Sequence, residues 1–577
     1  MRRHAMGRTR SGRAWYGFIR FGLVLSALSA LPAPVCADIS GTLTTQGGKP
    51  VAGAYLRFTD AFDPTRQAQT VTDAQGAYSL KLPPAGTAIR PAHESGIPLR
   101  EPVPGAQPGA FDPRGRWFRM GSALPEGGRP VAAGIYFPVS GAQGGTAARK
   151  RAPPAGGYTA SVTAAERLFH VTIHGKGIYP YQARGLALAD GETRDFGLAA
   201  SDLWDSTRAI LRDNLADCGS RFKDRKQGRI AFLGGSITFN PGWRDSVQDY
   251  LKSRFPGTAF DFINAGIPSV GSDMHGFRLR RDVLEKGKVD LLFFESAVND
   301  TTNGVSSITR TRAYEGILRQ AWRDNPDMDV IYLYFADPSF YPNYQAGKPN
   351  SLISDYERIA VPYGVSAIHL SQYVAEHYTW AQFGGDVHPG PLGQGIYFRG
   401  IRRLLEAAWA GPAVSQPVLP VPLPHAPPAA MLDSLCFHQG HTDTIAKAVL
   451  ANGWRRIASW VPAQGGTRDG FFKVPVLEST TPGDTLRFAF TGSAVGAVIP
   501  AGPDAGMIEY AIDGKVLGTK DQFTPWSSGL NIPWTLLFST DLAMKAHELR
   551  LVVAPGKNAA STGRACRIIR FVVNGPG

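Results

Sequence analysis

Between about residues 205 and 410 the chain alternates between two periods, and this alternation restricts the fold more than any other feature. Apolar runs of strand length occur at Ile230–Leu233, Phe260–Asn264, Leu291–Ser296, Val330–Phe335 and Ala367–Leu370. Between them lie stripes with helical spacing: Trp243, Val247, Tyr250 and Leu251, then Tyr314, Ile317, Leu318, Ala321 and Trp322. Leu352, Ile353, Tyr356, Ile359 and Ala360 make a third stripe, and Tyr397, Ile401, Leu404, Leu405 and Ala408 a fourth. Such alternation predicts a parallel sheet covered by helices on both faces, a three-layer α/β/α domain.

Polar residues interrupt this pattern at four places. Ser236 follows the first strand in Ile230-Ala-Phe-Leu-Gly234-Gly-Ser236-Ile-Thr238, where two glycines are expected to let the backbone turn sharply and approach a ligand closely. Asn264-Ala-Gly-Ile-Pro-Ser269-Val-Gly271-Ser272 follows the second strand, and Glu295-Ser-Ala-Val-Asn299-Asp300 the third. Gly385-Asp386-Val-His388-Pro389 precedes the last helix. The carboxyl ends of parallel strands share one edge, so these segments can converge there. A hydroxyl, a Gly-rich turn, a carboxamide and an Asp/His pair are the parts acyl transfer requires. Plainer readings exist for each. Gly-Gly-Ser occurs in ordinary loops, Asn299 and Asp300 can cap the next helix, and Asn264 can close its own turn. Arg278, Arg280 and Arg281 fit a solvated face better than a substrate clamp, and Trp243 fits a helix core better than a sugar platform.

Taken in this order, the four blocks resemble the SGNH hydrolases, also called the GDSL-type esterase and lipase family. Gly234-Gly-Ser236-Ile-Thr corresponds to the first block, in the variant with Gly before the serine. Asn264 to Gly271, Glu295 to Asp300, and His388-Pro389 correspond to the others. Arg281-Asp282-Val-Leu284 and the run beginning Val289-Asp-Leu-Leu also look like secreted bacterial members. The resemblance implies that Ser236 is the nucleophile, His388 the base and Asp386 the group that orients it. It places the oxyanion donors at the Ser236 amide, a block-two amide (Ser269, or alternatively Gly271) and the Asn299 side chain. Two departures stand out. The family's last block is usually Asp-x-x-His, whereas here the acid is two residues before His388 and Gly385 stands at three. Ser269 occupies a position where the family often has Gly.

The flanking regions have a different period. Residues 1–37 have the form of a secretory signal: six arginines, an apolar core from Phe21 to Leu31, and Val35-Cys36-Ala37 at a cleavage position. This predicts a secreted or periplasmic protein without an integral membrane segment after cleavage. Removing those six arginines from the net charge of +14 leaves +8, a modest excess that needs no nucleic acid to explain it. Residues 38–200 form a β region. Gly41-Thr-Leu, Pro50-Val-Ala-Gly53-Ala and Thr72-Asp73-Ala-Gln-Gly76-Ala-Tyr78 resemble the transthyretin-like, carboxypeptidase-regulatory-like sandwich over about 38–90. Further strands are expected at Tyr158–Val162, Leu168–His174 and Gly185–Leu188, and Gly141–Gly157 fits a loop. His170 and His174 are spaced for a metal only on a helix, and the alternating run around them is a strand. Residues 411–428 are a proline-rich connector, and 429–577 predict a second β-sandwich, with Phe523, Trp526 and Trp534 fitting its core or a domain contact better than a surface for stacking on sugars. Cys218, Cys436 and Cys566 have no metal-site spacing; an oxidising compartment permits one disulfide with one thiol left over, and the spacing does not select the pair, Cys436 with Cys566 being suggested only by their lying in the same region.

The sequence thus predicts a multidomain α/β plus all-β protein: a central SGNH-type parallel sheet at 205–410 flanked by β-sandwich domains. The expected activity is a serine esterase acting on small acyl, foremost acetyl, esters of a carbohydrate, with no metal or organic cofactor. The alternatives are a lipid or aryl esterase, an O-acetyltransferase of the same fold, and a catalytically dead carbohydrate-binding protein.

Overall fold

The computed structural model describes residues 38–45, 48–60, 66–82, 109–111, 117–119, 167–175, 178–188, 192–198, 208–213, 215–384, 386–410 and 424–577. The signal segment, the Gly141–Gly157 loop, Tyr158–Val162, Gly385 and most of the proline-rich connector lie outside the described residues.

The central sheet has six strands: β1 (Ala209–Ile210), β2 (Gln227–Gly234), β3 (Ala259–Gly266), β4 (Leu291–Phe294), β5 (Asp329–Leu333) and β6 (Ser366–Ile368). Their order is β1-β6-β5-β4-β2-β3, parallel throughout except for the short edge strand β1, which runs antiparallel to β6. From β2 the chain moves outward to β3, then crosses to β4 on the other side. The order therefore reverses at β2, and open α/β sheets bind ligands at such a reversal, beyond the strands' carboxyl ends. β4 and β5 are buried at every position, as strands covered on both faces must be.

Seven helices matter for the site: α1 (Ser236–Phe239), α2 (Trp243–Arg254), α3 (Ser272–Asp282), α4 (Ala297–Thr302), α5 (Ser307–Asp324), α6 (Ser351–Tyr363) and α7 (Pro391–Ala410). α2 packs with α7, while α5 packs with α3 and α6, giving a helical layer on each side of the sheet. Trp243 is 1% exposed, its ring edges against Phe232, Phe293 and Phe335, and its indole N–H donates to the Ile237 carbonyl at 3.1 Å. It is core, so the sugar-platform alternative falls away.

The amino-terminal strands draw together two distant parts of the chain. Tyr55–Asp60 pairs with Gln67–Val71 on one side and with Arg167–Gly175 on the other, and Asp38–Thr45 pairs with Ala77–Lys81 and Phe196–Leu198. Leu43, Phe58, Phe169, Ile173 and Phe196 share one core. His170 and His174 both lie within the strand Arg167–Gly175.

The carboxy-terminal region forms two five-stranded sheets and a three-stranded one over a shared core in which Phe488 and Phe571 stack at 3.9 Å. Trp534 packs against that core, but Trp526 is 47% exposed, contrary to the expectation that it is buried. No disulfide joins the described cysteines, the suggested Cys436–Cys566 pair included: all three are free and separately buried. Cys566 lies within the sandwich, where Gln522 Nε2 donates to its sulfur at 2.8 Å, while Cys436 sits beside Met431 in the segment leading into it.

A further apolar cluster joins this sandwich to the central domain. Val270, Met274, Phe277 and Ala313 meet Phe437, Trp460, Phe471 and Val498. Phe437 enters between α3 and α5, where Gly276 and Gly316 leave room: a Cβ on Gly316 would lie 2.5 Å from the Phe437 backbone. Arg312 Nε binds Asp433 at 2.7 Å and Arg312 Nη1 binds Asp541 at 2.8 Å, adding two ion pairs to this contact.

Candidate active site

β2 ends at Gly234, and Ser236 is the first residue of α1. The two glycines are needed for a reason other than the expected sharp turn. Gly235 has φ −89°, which any residue adopts. What each lacks is room: a Cβ on Gly234 would lie 2.0 Å from Glu295 Oε1, and one on Gly235 would lie 2.0 Å from Asn299 Oδ1. The turn that carries Ser236 is therefore pressed against the segment that follows β4.

Glu295 holds that turn. Its Oε1 accepts the Gly235 amide at 2.6 Å and the Thr238 hydroxyl at 2.7 Å, bracketing Ser236. Burial pushes its carboxyl up to about 7 against the pull of these two donors. From the other side, Arg278 Nη2 donates to the Gly234 carbonyl at 3.1 Å and to the Ala265 carbonyl at 2.7 Å, while Nη1 pairs with Asp282 at 2.9 Å. Arg278 is 1% exposed, so it is neither the solvated face nor the substrate clamp considered from the sequence; it ties the ends of β2 and β3 together. Arg280 does lie at the surface. Arg281 is partly exposed and pairs with Asp282 at 2.5 Å. The i, i+4 spacing of Arg278 and Asp282 was the available signal for this pair.

His388 Nε2 lies 2.8 Å from Ser236 Oγ, the separation a base needs to take the hydroxyl proton. Asp386 reaches back over the two-residue spacing: its Oδ1 is 3.2 Å from His388 Nδ1 and accepts the His388 amide at 2.6 Å. This fixes the ring with Nδ1–H toward the acid and Nε2 toward the serine. Asp386 is largely exposed, its side chain retaining 74% of its accessible surface. Gln394 on α7 braces the loop. It accepts the Trp243 amide at 2.9 Å and donates to the Pro389 carbonyl at 3.4 Å, linking the histidine segment to the start of α2. No sequence signal marked Gln394, since its partners are main-chain groups, one of them 151 residues away.

The oxyanion candidates divide as follows. The Ser236 amide opens a helix and takes no backbone acceptor among the described residues, and neither does the Ser269 amide. Asn299, on α4, lies against Gly235. Gly271 is buried against Asp300 and caps α3, its carbonyl accepting the Met274 and His275 amides at 3.1 Å each. Ser269 is the more accessible of the two block-two candidates. Its φ of 75° lies in the left-handed region, which explains why Gly suits this position. Asp300 does not cap the helix that follows it; it lies inside α4 and receives the first amide of α3 instead. It is buried, with Oδ1 accepting the Ser272 amide at 2.7 Å and Oδ2 the hydroxyls of Ser296 and Tyr356 at 3.0 and 2.5 Å. Asn264 closes its turn, donating to Phe239 and accepting from Gly266.

One group with the make-up of a cation site stands apart, at the amino end of β5. There His425 places its two ring nitrogens 3.4 Å from Asp213 and 3.0 Å from Asp329. That is how an imidazolium sits between two carboxylates. The carboxyl ends of the strands, where Ser236 lies, are at the opposite edge of the sheet.

Residues 232–396 match the GDSL-like Lipase/Acylhydrolase family. A two-domain esterase active on acetylated mannans, solved with mannopentaose, is 20% identical with a TM-score of 0.50, covering 64% of this chain and 96% of that one. A second structure of a two-domain esterase active on acetylated mannans is 18% identical with a TM-score of 0.51, covering 64% and 97%. At this identity the likeness establishes the fold. No curated protein sequence matches the chain significantly. On the family match over 232–396 and the fold around it, the central α/β domain of this chain is a carboxylic-ester hydrolase domain of the GDSL-like lipase/acylhydrolase family.

Proposed function

We propose that the protein is a secreted serine esterase that removes acetyl groups from a carbohydrate through an acyl-enzyme on Ser236. The observation that carries this reading is the Ser236 Oγ–His388 Nε2 contact of 2.8 Å at the strand-order reversal, with Asp386 behind the imidazole. In the first half-reaction Ser236 Oγ attacks the ester carbonyl carbon while its proton passes to His388 Nε2. The carbonyl π pair moves to oxygen, where the Ser236 and Ser269 amides and the Asn299 amide supply donors. As the carbonyl reforms, the C–O bond to the sugar breaks, and His388 returns the proton to the leaving alcohol. Water then repeats the sequence: it loses a proton to His388, attacks the acyl carbon, and releases acetate and the free serine.

The carbohydrate part rests on three supports. The structural neighbours described above act on acetylated mannans, the amino-terminal residues have the form of a secretory signal, and β domains flank the catalytic one. Acetate release from a panel of acetylated polysaccharides, mannan and xylan among them, tests the proposal. Release by the protein and none by Ser236→Ala is expected. Cleavage of an artificial acetyl ester through Ser236 without release from any polysaccharide would overturn the substrate class and favour a lipid or aryl esterase. Transfer of the acetyl group to an added sugar alcohol would show a transferase instead.

A further inference from the structure

We infer that the carboxy-terminal sandwich supplies a positioning residue to the active site: Arg468 fixes Ser269 so that its backbone amide is available to the oxyanion. This rests on the esterase reading above. Ser269 is a non-glycine residue at φ 75°, a conformation that persists only where the surroundings hold it. Two side chains do so. Asn303 Nδ2, from just beyond α4, donates to the Ser269 carbonyl at 3.0 Å. Arg468 donates to the Ser269 hydroxyl from Nε at 3.3 Å and from Nη2 at 3.1 Å, across 199 residues of sequence. With carbonyl and hydroxyl both engaged, the amide is the one polar group of Ser269 left without a protein partner among the described residues.

The segment that carries Arg468 is built to hold it in place. Lys473 N donates to the Trp460 carbonyl at 2.6 Å and closes its base, and Phe471 N donates to the Arg468 carbonyl at 3.1 Å. Gly466–Thr467 pairs with Leu530–Asn531 of the sandwich. Phe471 itself is buried in the apolar cluster that joins the two domains. Docking of the sandwich thus delivers a planar guanidinium, whose adjacent Nε and Nη2 donors converge on one hydroxyl, to the loop that aims an oxyanion donor. Arg468 forms no ion pair with a carboxylate among the described residues, so the Ser269 hydroxyl is its side-chain partner. The sandwich is part of the catalytic unit, and a central domain cut free of it would lose this constraint.

A double-mutant cycle tests this in the full-length protein, with p-nitrophenyl acetate as substrate. Arg468→Ala is expected to lower kcat about tenfold, part of the 10²–10³ carried by one oxyanion donor, with KM within about twofold and an unchanged melting temperature. In the Ser269→Gly background, where the hydroxyl is gone and the left-handed conformation is free, the same change should alter kcat by less than about twofold. Arg468→Lys, which keeps one donor, should recover part of the loss. An equal loss in both backgrounds would overturn the proposal, because Arg468 would then act directly on substrate. So would an effect on KM alone, or none. Should the wild-type protein turn over no acetyl ester, the esterase reading falls. The rate of fluorophosphonate attachment to Ser236 in the same variants would then decide the role of Arg468 separately.

Discussion

Ser236 opens a four-residue helix, so its own amide is one of the orphan donors at the positive end of a helix, close to where charge builds up during attack. Replacing it by Ala should lower kcat by at least about 10³, as removal of a nucleophile does in related catalytic arrays. Asn299→Ala should lower kcat about 10²- to 10³-fold with little change in KM, because an oxyanion donor acts mainly in the transition state. Asp386 differs from the buried acid of a serine-protease triad. With 74% of its side-chain surface accessible, its charge reaches His388 directly but is screened by the surrounding solvent. Asp386→Ala should therefore cost only about 10- to 100-fold, well under the roughly 10⁴ of a buried triad acid. Steady-state kinetics on one artificial ester would rank the three, and a loss for Asp386→Ala equal to that for Ser236→Ala would contradict the solvent argument. Ser236, His388, Asn299 and Asp386 were legible because each interrupts an apolar pattern. Glu295, Arg278, Gln394 and Arg468 were not, since their roles depend on which carbonyls, amides and hydroxyls the fold brings to them.

At the level of elements, the turn between β2 and α1 is shaped by what lies beside it. Gly235→Ala leaves φ allowed but places a methyl 2.0 Å from Asn299 Oδ1, so the side chain that should receive the oxyanion must move. The expected result is a folded protein that loses about 10²-fold in kcat, as though Asn299 itself had been removed. A variant with near wild-type kcat would show that Asn299 can shift without consequence. Strand and helix alternation was readable because burial on both faces leaves β4, and β5 beyond Asp329, uniformly apolar. The antiparallel edge strand β1, two residues long, carries too little pattern to be seen. The amino-terminal pairing of Tyr55–Asp60 with Arg167–Gly175 was also hidden, because strand pairing over more than a hundred residues has no local signature. Phe437 between α3 and α5 is a comparable case. Phe437→Ala should cost about 3–5 kcal/mol, seen as a lowered denaturation midpoint, because the glycine-lined gap it fills cannot collapse.

Across the whole molecule, three segments meet at His425. Asp213 and Asp329 of the central domain contact its ring, which stacks on Trp322 at 5.0 Å. Asp217 lies close by, and Arg57 of the amino-terminal domain donates to the Ala426 carbonyl at 3.4 Å. Burial alone lowers an imidazolium, but Asp213, Asp329 and Asp217 outweigh it and raise His425 to about 9. A raised histidine stabilises the fold fully below its unfolded value of 6.5, and this contribution is lost as pH rises through 9. The melting temperature should thus fall between pH 6.5 and 9.5. His425→Gln should lower it at pH 6.5 and reduce that slope, and equal slopes in both proteins would contradict this assignment. Sequence and structure agree on the fold class, a central α/β sheet with helices together with several all-β sheets. The contacts between these parts appear only in three dimensions.

The most direct test of the account is intact-mass measurement after treatment with a fluorophosphonate, which is captured only by a serine activated by its base. The prediction is one adduct per chain, mapped to Ser236, absent from Ser236→Ala and formed far more slowly in His388→Ala. An unmodified wild-type protein, or an adduct that persists in Ser236→Ala, would contradict the catalytic site described above.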